Sequence, residues 1–126
     1  DSVEDALAAV QAGASAVLVA APLLADLCGH PEMVTLGAVP VLVIDDLSGL
    51  SEASARAADL RVPLAFDSSG VAVAPAIGGE SAAIAEGCRL VRTADVRRSR
   101  RAAEVMAAIL GARRPTVAPD HGEELT

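Results

Sequence analysis

The sequence contains no lysine, asparagine, tryptophan or tyrosine, and Phe66 is its single aromatic residue. Each gap excludes something. A chain without lysine cannot hold a carbonyl substrate as a Schiff base. A chain without asparagine lacks one of the amides that read the edge of a heterocycle. Losing both together fits a GC-rich coding sequence. The two cysteines, Cys28 and Cys88, make neither a disulfide framework nor a zinc site. Both stand in apolar contexts and read as buried free thiols, so a reducing cytoplasm is the default location. The histidines, His30 and His121, are far in sequence from Ser68 and Ser69, which argues against a Ser-His-Asp triad. No apolar run reaches the ~18–20 residues that cross a bilayer. No basic-then-apolar leader opens the chain, so no membrane partner is expected. The first residue is Asp1 and not Met, which reads as a trimmed, processed or partial chain.

What is present is an apolar, small-residue chain. Hydrophobic residues make up 52% of the 126 positions, most of them Ala, Val and Leu. That length suits one domain, and that apolar content predicts a packed core. Ala, Val and Leu together point to helices packed on parallel strands, where small side chains let the layers approach.

Charge is distributed unevenly. Six of the ten arginines fall between Arg89 and Arg101, with Asp95 the one acid among them. That window carries +5 and the remainder −12, for a net charge of −7. So acidic a chain is not expected to bind nucleic acid.

The pattern alternates helix and strand. A helix is expected over 3–12, with Ser2 as N-cap and Gly13 as its stop. A buried strand follows at 16–20, then a helix from Pro22 to Cys28 ended by Gly29. Residues 30–39 read as a loop or short turn. The second strand covers 41–44, and Ser51 is expected to cap a helix reaching Leu60. The third strand covers 63–66. A mobile stretch holding Pro75, Gly78 and Gly79 leads to a short helix over 80–86. The fourth strand covers 89–92, and Asp95 caps a last helix over 96–110. Four strands, each followed by a helix, give the rhythm of parallel (β/α) units. Four strands cannot close a barrel, so a partner copy, a missing half or an open sheet is needed. Residues 1–112 form the domain, and 113–126 read as a disordered acidic tail.

In such folds chemistry gathers at the carboxyl ends of the strands. Here those ends offer Asp45 and Asp46, then Asp67, Ser68 and Ser69, then Arg92, Thr93, Ala94 and Asp95. The aspartates suit a hard metal or N–H donors of a ligand, or simply cap the following helices. Arg92 suits a phosphate or pyrophosphate held bidentately, helped by the helix N-terminus at Val96. Asp95 competes for those same N–H groups, and a salt bridge from Arg92 to a nearby Asp is the plainer alternative. Arg97, Arg98, Arg100 and Arg101 read as a solvated helix face, with Arg100 and Glu104 spaced for an i,i+4 pair. Gly78-Gly79-Glu80-Ser81 is a weak glycine-rich loop without phosphate-loop spacing.

The stretch AAIAEGCRLVRTADVRRSRRAAEVMAAIL, from Ala82 to Leu110, resembles the end of dihydropteroate synthase. There a helix leads into a last strand ending Arg-x-His-Asp-Val, matched here by Arg92, Thr93, Ala94, Asp95 and Val96. AAVQAGASAVLV near the start resembles that family's mid-barrel helix-strand unit. Val62 to Phe66, followed by Asp67-Ser68-Ser69-Gly70, takes the place of its seventh strand. The resemblance implies a partial TIM-barrel fold in the pterin-binding family, which serves folate biosynthesis. It also implies a phosphate site at Arg92 with Asp95 beside it and at most a serine retained from Ser68-Ser69, while Asp67, Ser68, Ser69 and Asp45 stand as further candidate ligand contacts by their place at the strand ends. Ala94 stands where the family has His, Asp67-Ser68-Ser69 where it has Ser-Arg-Lys, and the family's Asn is absent. The expectation is therefore a dihydropteroate-synthase-like protein with little or no synthase activity. It would need no cofactor, bind a pterin or phosphate-bearing small molecule, and pair as a homodimer that covers its strand edges. A piece of an active synthase, or a small α/β phosphometabolite-binding module, are the alternatives.

Overall fold

The computed structural model describes residues 2–111. The expected tail at 113–126, with His121, lies outside them. The chain opens with α1, Val3–Gln11. Ser2 Oγ accepts the Asp5 N–H at 3.2 Å, relieving one of the N–H groups that a helix start leaves unpaired. Ala6 and Val10, four residues apart, are the buried stripe of α1. Gly13 ends the helix at φ 113°, a conformation that side chains with a Cβ avoid. Strand β1, Ala16–Val19, follows, then α2, Ala21–Cys28, with Pro22 in its first turn.

Three expectations need correction. Residues 30–39 hold a helix, α3, Pro31–Thr35, whose first N–H groups include one donated by Glu32 to His30 Nδ1. Strand β2 then starts early and runs Val39–Ile44. Ser51 is not a cap. Asp46 instead caps a 3-10 turn, Leu47–Gly49, that passes directly into α4, Leu50–Leu60. The stretch expected to be mobile is the first half of a continuous helix, α5, Val73–Ala85, which comes after β3, Leu64–Asp67. Pro75 fits there because the first turn does not need its missing N–H. The chain continues through β4, Leu90–Arg92, into α6, Val96–Ile109, capped by Asp95 as expected.

The four strands are all parallel and lie in the order β1-β2-β3-β4. Crossovers between parallel strands are right-handed as a rule. An order that never reverses therefore lays every connecting helix on the same face. The register separates the two faces, because residues paired across a parallel ladder point the same way. Val19, Leu42 and Leu64 share one face, as do Ile44, Phe66 and Val91. These residues belong to or pack against the single core cluster, with Leu24 and Leu27 of α2 and Ala83 of α5. The other face carries Val41 and Ala65, which are buried but lie outside that cluster. It also carries Leu18, Val39 and Leu90, exposed to 44%, 43% and 44%.

Cys88 is buried as expected, with its Sγ 2.9 Å from the Leu90 carbonyl, and burial raises its pKa above the ordinary thiol value. Cys28 is only half-buried, because it ends α2 beside solvent. No helix among the described residues is long and apolar enough to cross a membrane.

The glycine pair inside α5 has two distinct reasons. A Cβ on Gly79 would lie 3.3 Å from the Phe66 ring, so the helix docks on β3 through that missing methyl. A Cβ on Gly78 would meet nothing within 4 Å. Gly78→Ala is expected to raise stability by about 0.5–1 kcal/mol, the helical preference of Ala over Gly. Gly79→Ala is expected to lose that gain to the buried ring. Thermal melts of the two variants check the contrast.

Candidate functional site

Asp67 and Arg92 are the last residues of neighbouring strands and pair in register. They also share the sheet face that the helices leave uncovered. Arg92 Nη1 lies 3.9 Å from Asp67 Oδ2, and the arginine side chain is 70% exposed. The plainer alternative for Arg92, a salt bridge to a nearby Asp, is thus present, but as a loose, solvent-screened contact.

The other Asp67 oxygen is occupied. Oδ1 accepts the Ser69 N–H at 3.0 Å and its hydroxyl at 2.6 Å. These two bonds, with a smaller contribution from Arg92, hold the Asp67 carboxyl below its ordinary pKa. Asp46 behaves likewise, accepting the N–H and hydroxyl of Ser48 at 3.0 and 2.9 Å, and its pKa is lowered too. Asp45 is exposed and takes no part in either turn. The three aspartates therefore do not converge on a metal. No group of three or more His, Cys, Asp or Glu suited to a metal exists among the described residues.

Asp95 spends its Oδ1 on the Arg98 N–H at 3.1 Å, and its Oδ2 lies 3.5 Å from Arg98 Nε. The N-terminus of α6 is closed by its own cap, as the competition between carboxylate and ligand foreshadowed. Behind it, Thr93 Oγ1 accepts the Asp95 N–H at 3.1 Å and the Ser99 hydroxyl at 2.8 Å.

Ser68 turns inward, away from the side chains of Asp67 and Arg92. Its N–H donates to the Arg92 carbonyl at 2.8 Å, extending the β3–β4 ladder by one bond. Its hydroxyl donates to Glu80 Oε2 at 2.8 Å. Glu80 is fully buried, and its Oε1 has no hydrogen-bond partner among the described residues. A cavity of about 10 Å³ between Ser68, Glu80, Thr93 and Ser99 adjoins it, close to the minimum that one water needs. Sequence reasoning placed Glu80 at the start of a short helix and in a weak glycine-rich segment, and missed this role. Ala76, Glu80 and Ala83, spaced as one helix stripe, are all buried, and that spacing is the signal that marks Glu80 as inward-facing.

Of the expected site residues, the structure brings together Asp67, Ser69 and Arg92. It assigns Ser68 to the interior and Asp95 to a cap, and leaves Asp45 apart. A cleft of about 460 Å³ runs from Ser2 and Asp5 of α1 past Leu18 and Val43 to Asp67 and Arg92. Comparison with protein families, curated proteins and solved structures finds no match to this chain.

Ser68→Ala strands the buried Glu80 carboxyl and is expected to cost about 1–3 kcal/mol in urea unfolding. Pairing it with Glu80→Met removes the stranded group, and the double variant should recover much of that loss. The lowered pKa of Asp67 means that its contribution is present above the ordinary value of 3.8 and is lost as pH falls through the lower folded value. Its exposure keeps that contribution below about 1 kcal/mol. Melts between neutral and strongly acid pH should show a flatter acid limb for Asp67→Asn, whose amide keeps an acceptor but does not titrate.

Proposed function

We propose that this chain is a dihydropteroate-synthase-like (β/α) half-barrel that binds an anion-bearing small molecule without running the synthase reaction. The observation that carries this reading is Arg92. It stands at the carboxyl end of its strand, in register with Asp67, with its guanidinium largely in solvent at a cleft. Only one nitrogen of the fork approaches Asp67, so the remaining N–H groups suit a phosphate or pyrophosphate. The unreversed strand order supports the half-barrel, since it is the order of strands in a (β/α) barrel. Free thiols suit a reducing compartment such as the cytoplasm.

The chemistry of synthesis lacks its means. Ala94 offers no imidazole beside Arg92, and no Lys or Asn exists in the chain. Ser68 is committed to Glu80, and the Asp67 and Ser69 side chains bond each other. Each lost polar contact to a buried ligand removes on the order of 1–3 kcal/mol. Several such losses together suppress turnover by many powers of ten. Asp95 also takes the Arg98 N–H and sets its own carboxylate at the start of α6, where it repels an anion, so binding rests mainly on Arg92 and is weak.

Titration calorimetry with pyrophosphate and with a pterin, separately, tests this reading. Pyrophosphate is expected to bind in the millimolar range, and Arg92→Ala to weaken it at least about tenfold, the loss of ~1.4 kcal/mol. No dihydropteroate is expected from p-aminobenzoate and pterin pyrophosphate. Its measurable formation by this chain alone overturns the non-catalytic reading.

A further inference from the structure

We propose that two copies of this chain close on each other into a single ring of parallel strands. In it β4 of each copy pairs with β1 of the other, and α1 of each seats beside α6 of the other. The inference rests on the half-barrel reading above and goes beyond it in naming the occupant of the open edges.

The first argument is the edges. Among the described residues, β1 and β4 each have a neighbour on one side only. A two-fold axis along the strands keeps every strand parallel and brings each β4 edge to a β1 edge. No edge then remains to template wider pairing. Four strands from each copy make eight, the number whose barrel interior side chains just fill. The second argument is the uncovered sheet face. Parallel sheets are buried on both faces as a rule. Ring closure turns Leu18, Val39 and Leu90, each over two-fifths exposed, into the lining of that interior.

The third argument is the groove at β4. Between β4 and α6 lies an open groove of about 630 Å³, with Val91 on the strand and Val96, Ala103, Ala107 and Leu110 on the helix among its lining. The other end of the sheet has what this groove lacks. There α1 packs against β1, the strand with the free edge, and its side toward that edge carries Ser2, Asp5, Ala6 and Ala9.

Charge complementarity supplies the fourth argument. Among the described residues the groove is lined by Arg89 and Arg100 and by no acid. The first turn of α1 carries Glu4 and Asp5, both exposed. Helices of parallel units all run back against the strands, so the first turns of α1 and α6 lie at one level in the ring. Arg97 and Arg100 of one copy then face Glu4 and Asp5 of the other. Arg100 also lies 3.5 Å from Glu104, an exposed pair that does little to satisfy it. The arginine run thereby gains a role that a solvated face does not explain.

Light scattering coupled to gel filtration tests the ring with two charge-reversed chains, Arg97→Glu/Arg100→Glu and Glu4→Arg/Asp5→Arg. The unaltered chain is expected at twice its 12.6 kDa mass, with dimer dissociation rising as salt is added. Each reversed chain alone should dimerise at least about tenfold more weakly. Mixed in equal amounts they should pair again, because both seams of the mixed ring then join opposite signs. Circular dichroism confirms that each reversed chain is folded, and the α6 variant alone decides the case if the α1 variant is not. A monomeric unaltered chain overturns the ring, and so does a dimer indifferent to both reversals. A monomer that still binds pyrophosphate through Arg92 leaves the binding reading standing. A dimer that binds no pyrophosphate removes that reading and leaves the ring.

Discussion

A parallel sheet wound in one direction can be covered by its own helices on one face only, and most of this protein follows from that constraint. Each strand hands the chain to a helix that must return on the same side. Val19, Leu42 and Phe66 therefore meet α2, α4 and α5, while Leu18, Val39 and Leu90 meet no core of their own. The same winding aligns the carboxyl ends of all four strands at one rim. Asp67 and Arg92 reach that rim in register and on the uncovered face, which is why their pairing is open to solvent.

Beneath the rim, stability and chemistry compete for the same atoms. Ser68 belongs by position to the strand end, yet its hydroxyl serves a carboxyl buried in α5. A buried carboxyl with one oxygen unsatisfied is expensive, and losing its remaining partner makes it more so. Ser68 is thereby fixed as a tie between β3, β4 and α5, since its backbone N–H also reaches Arg92. Asp46, Asp67 and Asp95 show the same economy, each closing a turn or capping a helix with oxygens that a ligand would otherwise use.

Elements with strong local signals were legible in the sequence. Ser2 and Gly13 bracket α1, Asp95 caps α6, and the short apolar runs are strands. The α3 helix was hidden because five residues are too few for a periodicity, although Pro31 and Glu32 carry its start. The first half of α5 was hidden because Pro75, Gly78 and Gly79 argue locally against a helix. Tertiary contact reverses that argument, since Phe66 needs the space at Gly79. Strand-end residues were located correctly as a group. Their partners were not, because hydrogen bonds such as Ser68 to Glu80 join residues whose proximity only the docking of α5 creates.

The contact between Phe66 and Gly79 has a practical side. A polypeptide with one phenylalanine and neither tryptophan nor tyrosine is almost dark to near-ultraviolet absorbance and to intrinsic fluorescence. Whatever chiral near-ultraviolet signal it gives comes from a ring wedged between β3 and α5. That faint spectrum is a built-in gauge of one helix leaving one strand, with no other chromophore to blur it.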